Sequence, residues 1–355
     1  MLVGLHSDYD LAAWARGGRA GQRPGIAPYG LDHLAKQNVE VRQLWPLWRT
    51  KLIGRAFRSV EGRIDFPLAR TIASHSRTAA VDVALGVLEN QGFPHAVMRR
   101  ARIQPWATTP LALLTCWLAE RARSATTGQL RRLRVLAAGA DLFIFWSTNQ
   151  EAIFRERLGI PPDRLFFVPF GVEDDFYRPA SGADAKYILA VGRDRGRDYH
   201  TFINAIARVD FPVKIACPLD RLAGLNPPAH VECLGEVSHA KLRHLMSHAA
   251  VVVVSTQPEV AYPTGQTVLL SAMSCHRPTV VTATPALSDY LRPDENTCAV
   301  EPRDPEALGN GIARVLSDQA FARRIAAGGH SDVKRTYNSR LMWQTIGARL
   351  HDLVR

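Results

Sequence analysis

Two short stretches carry residue types able to hold an anion. The first, "VGRDRGRDYHTF" (191–202), ends an apolar run on Gly192 and then supplies Arg193, Arg195 and Arg197. A strand that stops on glycine and continues into guanidinium groups can present forks to a diphosphate. The second is "YPTGQTVLLSAM" (262–273), entered from the apolar "VVVVST". Here Thr264 is expected to cap a helix, and Gly265 lets a ligand approach the backbone. The N–H groups of Gly265, Gln266, Thr267 and Val268 are then free, which suits a phosphate. Helical spacing sets Thr264, Thr267 and Ser271 along one face, while Leu269, Leu270 and Met273 turn inward. Each stretch alone has a plainer alternative: a solvated basic turn for the first, an ordinary capped core helix for the second. Together, a phosphate-accepting helix start opposite an arginine cluster is the more economical reading.

These residues need strands and helices to aim them. The first 170 residues alternate apolar strands ("MLVGLHS", "VEVRQLW", "VDVALGVL", "PLALLTCW", "DLFIFWST", "LFFVPF") with helical patterns. "PFGVEDDFYRPASGADAK" is rich in Pro, Gly and Asp and reads as a linker. A second series follows, with strands in "KYILAVG", "VKIAC", "VECLG", "VVVVST", "PTVVT" and "TCAVEP", and helices in "YHTFINAIARV", "HAKLRHLMSHAA" and 267–275. The tail from "PEALGNGIARV" onward is helical, with a break expected near Gly328–Gly329. Strands alternating with helices imply mostly parallel sheets covered on both faces. The fold class expected is α/β, two Rossmann-like domains facing a cleft: 1–170, then 171–332, with a final helix at about 333–355 packing back on the first. Near the start, "ARGGRAGQRPGIAPYGLDHLAKQ" puts Gly17, Gly18, Gly21 and Gly25 in a basic loop before a helix beginning near Tyr29. It departs from the dinucleotide-binding fingerprint, because the loop is too long and no acid ends a following strand.

At 355 residues, 46% hydrophobic and 22% charged, the chain can build two ordinary cores. Cys116, Cys217, Cys233, Cys275 and Cys298 show no C-x-x-C pair, so each is expected to behave as a small core residue in a reducing cytosol. No stretch reaches the ~20 apolar residues of a spanning helix, and "MLVGLHSDYD" meets acids too early for a secretory leader. The net charge of +11 points to an acidic partner. No nucleic-acid-binding motif accompanies the arginine clusters. In 45–58, Trp45 and Trp48 mingle with Arg49, Lys51, Arg55 and Arg58, which suits peripheral contact with a membrane surface or else a solvated basic face. The localisation expected is cytoplasmic, with room for attachment at the inner membrane surface.

Taken together these positions resemble the retaining glycosyltransferases of family 4, which have the GT-B fold, and specifically a branch with a "GQTVLL" helix. The resemblance covers most of the chain and is strongest over 147–305, in "STNQEAIFRERLGIPPDRLFFVPFGVEDDFYRP", "ILAVGRDRGRDYHTFINAIA", "VECLGEVSHAKLRHLMSHAAVVVVST" and "GQTVLLSAMSCHRPTVVTATPALSDYL". It implies transfer of a hexose from a nucleotide-sugar, GDP-mannose or UDP-glucose being common donors, to a saccharide, glycolipid or small-molecule hydroxyl. It implies no cofactor beyond that co-substrate and no required metal. Carried over by position, Arg193 with Arg197 would neutralise the diphosphate, and Gly17 and Gly18 would approach it. Gly192, Leu234 and Gly235 would meet the nucleotide, residues 264–268 the sugar and phosphate, and Tyr29 and Trp117 the acceptor side.

Two departures from the family pattern stand out. Ser271 occupies the place of the signature carboxylate assigned to the ribose hydroxyls, and Pro263 the place of the other acid. Glu259 is the nearest carboxylate and serves as the candidate catalytic acid if its loop folds back. A histidine common near the acceptor is replaced by Cys116 and Trp117. Loss of both acids leaves a second reading, a non-catalytic nucleotide-sugar-binding partner of another transferase. A nucleic-acid-binding α/β protein is the weakest of the three.

Overall fold

The computed structural model describes residues 1–45, 66–180, 187–207 and 209–355. Among them are two sheets of six strands, every neighbouring pair parallel. The first comprises β1 (Leu2–His6), β2 (Glu40–Gln43), β3 (Val83–Gly86), β4 (Leu111–Leu114), β5 (Leu142–Phe145) and β6 (Leu165–Phe167), in the order β2-β1-β3-β4-β5-β6. The second comprises β7 (Ile188–Val191), β8 (Val213–Ala216), β9 (Val231–Cys233), β10 (Val251–Val254), β11 (Thr279–Thr282) and β12 (Cys298–Val300), in the order β12-β11-β10-β7-β8-β9. Each strand falls inside a segment read as a strand from the sequence. Val251–Val254 is buried at every position, as a parallel strand covered on both faces must be.

In each sheet the order reverses beside the first strand: β7 lies between β8 and β10. At such a reversal the connections leave in opposite directions, so the carboxyl ends of β7 and β10 border an opening. The two anion-suited stretches follow those two strand ends.

By contacts the chain divides into two compact units. One contains 1–12, 31–168 and 343–355; the other contains 13–30 and 169–342. The second unit is centred on Phe202, Ile215, Val253, Val280, Ile312 and Phe321, packed between the sheet and its helices. Within the first unit, Arg349 on the last helix (Ser339–Val354) donates to the Asp163 carbonyl at 2.9 Å and lies over the Phe166 ring.

Several expectations are corrected. Gly17 and Gly18 are in a helix, Leu11–Arg19, not a loop; the backbone carbonyl of Gly25 lies where a Cβ on Gly18 would stand, 2.1 Å away. No regular helix begins at Tyr29, whose φ of 56° sits in a single 3-10 turn before the short helix Asp32–Ala35. The tail does not break at Gly328–Gly329. The helix Gln319–Arg335 runs straight through them, and a Cβ on Gly328 would sit 2.0 Å from the Glu295 carbonyl, so glycine is there for close packing. The breaks fall at Asp318, which caps that helix, and at the turn before Ser339. The linker is not loose at its start: Val172 exchanges backbone hydrogen bonds with Tyr337 and Ser339; its 181–186 portion lies outside the described residues. Cys233 is exposed, whereas Cys217, Cys275 and Cys298 are buried. Trp45 is buried in the first unit under the Arg70 guanidinium, so it cannot serve as an interfacial anchor. The rest of the basic 45–58 stretch lies outside the described residues. Among the described residues no helix is long and apolar enough to cross a membrane.

One buried pair in the first unit carries a pH consequence. His6 ends β1, and its Nε2 lies 3.0 Å from Nδ1 of His95 on the helix Glu89–Arg100; His95 Nε2 is 3.2 Å from the Thr109 carbonyl. The contact between the rings needs one nitrogen as donor and the other as acceptor, so the two rings cannot both be charged. Burial pushes His95 down to about 4, the carbonyl of Thr109 opposing and the charge of Arg99 adding to the drop. Burial, then His95, lowers His6 well below its ordinary value. A depressed folded-state value means the unfolded chain binds more protons below pH ~6.5, so stability is full above that pH and is lost as pH falls toward 4. The expected slope approaches about 1.4 kcal/mol per pH unit for each proton taken up. Urea unfolding of the wild type and of His95→Gln between pH 7 and 4.5 checks this: the variant is expected to be less stable at pH 7 and to have the flatter profile.

Candidate functional site

The site is built where β7 and β10 end, within the second unit. β7 stops at Val191, and the chain turns through 192–198 into the helix Tyr199–Ile206, which Asp198 caps by accepting from the Thr201 N–H at 3.0 Å. β10 passes into Ser255–Gln257 and then a loop to the helix Gln266–Ser274. The two connections are sewn together by backbone. Asp198 N–H donates to Ser255 carbonyl, Gln257 N–H to Gly196 carbonyl at 2.8 Å, and Arg197 and Thr256 form an antiparallel bridge.

At their centre is the Asp194 carboxylate. It accepts from the Gly196 N–H at 3.1 Å, from Arg197 Nε at 3.0 Å, from the Tyr262 hydroxyl at 3.2 Å and from the Thr264 hydroxyl. Burial by itself would raise its pKa. The Arg197 charge and the hydrogen bonds from Thr264, Arg197 and Tyr262 outweigh this and hold the group below the ordinary carboxylate range. Arg197 is itself buried, 8% exposed, and its other arm, Nη1, has no protein partner among the described residues.

That free arm rests against the start of the helix Gln266–Ser274. A Cβ on Gly265 would stand 3.0 Å from Arg197 Nη1 and 2.5 Å from Val254, and a Cβ on Gly192 would stand 2.2 Å from Arg197 Nε. Glycine at both places is what allows the guanidinium to lie flat between the strand end and the helix start. Gly265 also takes φ of 86°, a conformation that costs other residues about 1 kcal/mol or more. The N–H groups of Gly265, Thr267 and Val268 have no backbone partner among the described residues, while that of Gln266 turns to the Pro263 carbonyl. A half-satisfied buried guanidinium beside open helix amides is a place where an anion gains charge-assisted hydrogen bonds and meets the positive end of the helix dipole.

The expected residues divide between this cluster and its surroundings. Gly192, Arg197, Thr264, Gly265, Thr267 and Val268 come together. Thr264, however, is not the cap: its hydroxyl is spent on Asp194, and Gly265 occupies the cap position with no side chain. Gln266 turns inward and donates to the Tyr290 hydroxyl. Ser271 is 1% exposed and lies beside the Tyr177 side chain, because its side of the helix packs on the segment before β7; it does not share an open face with Thr267. Arg193 is exposed, with its Nη2 3.5 Å from Glu236. Glu259 is paired with Arg303, which lies on a different loop, the one after β12. Leu234 N–H is bound to the Ile215 carbonyl at 2.8 Å, and Gly235 follows with φ of 67° and open space around it.

Gly17, Gly18 and Tyr29, expected with the first domain, cluster with the second unit, where Tyr29 meets Phe170 edge-on at 6.2 Å. Trp117, in the first unit, is 38% exposed just past β4, and Glu89 accepts from the Cys116 and Trp117 N–H groups at 3.1 Å. Sequence reading passed over Asp194, Tyr262 and Tyr290. An acid set between arginines in "GRDRGRD" was the one available sign of Asp194, and spacing alone gives no sign that the two tyrosines return to it or to Gln266.

Residues 185–318 match the family described as Glycosyl transferases group 1. A protein of Methanocaldococcus jannaschii named as an uncharacterized glycosyltransferase is 34% identical over 113 residues, 32% of this chain and 27% of its own length. An exopolysaccharide phosphotransferase of Streptomyces coelicolor is 24% identical over 242 residues, 64% of this chain and 25% of its own. The chain thus spans about a quarter of the length of the curated relatives it matches. Among solved structures, sucrose-phosphate synthase from Thermosynechococcus elongatus superimposes with a TM-score of 0.74 at 18% identity, covering 99% of both chains. HepE of Anabaena in complex with UDP-glucose gives 0.68 at 16% identity, again over 99% of both chains. These likenesses establish the fold, the two-sheet α/β architecture of GT-B proteins.

Asp194 is the residue whose loss this arrangement tolerates least. Asp194→Asn leaves the Arg197 charge buried without a carboxylate, and the expected cost is about 3 kcal/mol of unfolding free energy, measured by urea denaturation at pH 7. Thr264→Val, which removes one of four donors, is expected to cost about 1 kcal/mol.

Proposed function

We propose that this chain is a retaining, metal-independent glycosyltransferase that moves a hexose from a nucleotide-sugar, UDP-glucose ahead of GDP-mannose, to a hydroxyl of a saccharide, glycolipid or small molecule. The observation that carries the reading is the unpaired Nη1 of the buried Arg197 against the open start of the helix Gln266–Ser274. The family match over 185–318 spans these residues, and the HepE complex with UDP-glucose favours that donor. We take 171–332 as the donor-binding domain and 1–170 with the C-terminal segment at about 333–355, whose helix is Ser339–Val354, as the acceptor-side domain.

Breaking the glycosidic bond leaves negative charge on the departing diphosphate. Arg197 Nη1 and the N–H groups of Gly265, Thr267 and Val268 are fixed in advance, so they stabilise that charge without reorganising. With a guanidinium and amides in this role, no divalent ion is needed to neutralise the leaving group. Arg193, on the exposed side of the same turn, can swing from Glu236 to a second phosphate oxygen. Gly235 with its open surroundings suits the base, and the end of the helix Leu11–Arg19 that carries Gly17 and Gly18 remains the candidate for approaching the diphosphate. Ser271 contributes to the wall behind Tyr177 and not through a ribose contact. Glu259 reaches the sugar after leaving Arg303. Tyr29 and Trp117 remain the acceptor-side candidates. A glycolipid acceptor accords with the basic residues of 46–58 and with work at the cytoplasmic face of a membrane.

One observation favours a second reading. With Ser271 closed off and Pro263 carrying no acid, ribose recognition lacks a carboxylate, as in a protein that binds nucleotide-sugars without turning them over. Melting temperatures in UDP-, GDP-, ADP- and TDP-sugars separate the cases. The transferase reading expects one donor, at about a hundred times its Kd, to raise the melting temperature by about 5 °C or more. That donor should also release free nucleotide slowly, with the anomeric configuration kept in any product seen by NMR. Arg197→Gln is expected to weaken the same donor about tenfold or more. Stabilisation without any nucleotide release leaves a binder, and no stabilisation by any sugar nucleotide sinks both readings.

A further inference from the structure

At the opposite end of the strands, where β10 and β11 begin, the second unit holds a cavity of about 320 Å³. Its wall is apolar, with Ala250, Pro278, Leu316 and Ala326 among the lining residues. Its polar lining is His276, Arg277, Gln319 and Arg323, and no carboxylate is among the lining residues. The proposed function makes no use of this place: the nucleotide-sugar site lies at the carboxyl ends of β7 and β10.

Arg277 is held there firmly. The helix Gln266–Ser274 closes in a Schellman turn: the His276 N–H donates to the Met273 carbonyl at 2.9 Å and the Arg277 N–H to the Ala272 carbonyl at 3.0 Å. His276 takes φ of 57° in this turn, at the position that glycine usually fills. The Arg277 side chain is half-buried, makes no hydrogen bond or ion pair among the described residues, and its Nε is closed off from solvent without a partner. Arg323, one turn into the helix Gln319–Arg335, is exposed and likewise unpaired.

Among the described residues, the groups that could neutralise Arg277 are accounted for. The thiol of Cys275 and the phenol of Tyr187 are the negative-capable groups that act on it. Burial raises Cys275 to about 11 and Tyr187 above its ordinary value, so both stay neutral at pH 7. Glu232, beyond Tyr187, is paired with Lys214. Asp318 is occupied in capping the helix through the Ala320 and Phe321 N–H groups. A neighbouring cavity that shares Pro179 and Ala180 adds Arg178 and Arg243, so the local potential is positive on that side too. A half-buried guanidinium without a counter-charge is costly unless an anion completes it.

We propose that this cavity is a second ligand site, which binds a phosphate monoester carrying a small apolar substituent between Arg277 and Arg323. Guanidinium forks from two separate elements suit the several oxygens of a phosphate better than a lone carboxylate. The cavity exceeds what inorganic phosphate fills, and its apolar wall buries the substituent. The same chemistry is offered by a free phosphorylated metabolite and by a phosphatidate headgroup.

Calorimetric titration of the full chain with butyl phosphate, inorganic phosphate and butanoate tests the site, beside co-sedimentation with phosphatidylcholine vesicles with and without phosphatidic acid. Butyl phosphate is expected to bind at least tenfold more tightly than either inorganic phosphate or butanoate. Arg277→Gln is expected to weaken it tenfold or more, and Arg323→Gln, at an exposed helix position that leaves folding intact, several-fold. Arg197→Gln should leave its affinity within twofold, which separates this site from the nucleotide-sugar site whatever becomes of the transferase reading. Saturation by soluble butyl phosphate identifies a free phosphorylated molecule as the source. Binding confined to phosphatidate vesicles and lost in Arg277→Gln identifies a headgroup. The proposal is overturned if neither probe binds, if butanoate binds as well as butyl phosphate, or if only Arg197→Gln affects binding.

Discussion

The second unit is organised around one carboxylate. Asp194 gathers donors from its own turn and, through Tyr262 and Thr264, from the loop that follows β10. Removing it from water is costly, and the four donors together with the Arg197 charge make that burial sustainable. Because Asp194 takes Nε of Arg197, the guanidinium plane is fixed and Nη1 is left for something else. The position of Gly265, the entry angle of the helix Gln266–Ser274 and the openness of its first amides all follow from that geometry.

The rest of the second unit serves to keep this arrangement rigid. Tyr290 accepts from Gln266 and from the Phe170 N–H, tying the helix start to the segment that enters the unit. The far end of the same helix is pinned by Ser274 on the Tyr177 carbonyl and by Gly329, whose missing side chain makes room for Met273. A helix anchored at both ends presents its amides without the reorganisation that a flexible loop would need. Anchoring also explains why Ser271 is closed off: the face that carries it is the one used for packing.

The positions of the strands were legible because parallel strands covered on both faces must be continuous apolar runs of β-branched and aromatic residues, as in Val251–Val254 and Leu142–Phe145. The glycines were less legible. Gly18 and Gly328 look like helix breakers in sequence, yet both lie inside helices where another backbone passes too close for a Cβ. Whether a glycine marks a turn or a close approach depends on what lies opposite it, and that is a non-local fact. Trp45 is a similar case: beside a run of arginines it reads as interfacial, but the neighbouring strand and Arg70 enclose it.

The sequence by itself determined the two alternating α/β series, the parallel sheets they form, and the pairing of a glycine-ended, arginine-bearing strand with a glycine-led helix. Those features rest on local period and residue type, which a chain carries wherever it folds. Only the tertiary structure decided which arginine lies buried against the helix start, that Thr264 serves Asp194 instead of the helix, that Ser271 faces inward, and that Arg277 is left without a counter-charge among the described residues. Each of those depends on which partner reaches a polar group first, and the partners come from elements far apart in the chain, brought together only by the strand order of the sheet.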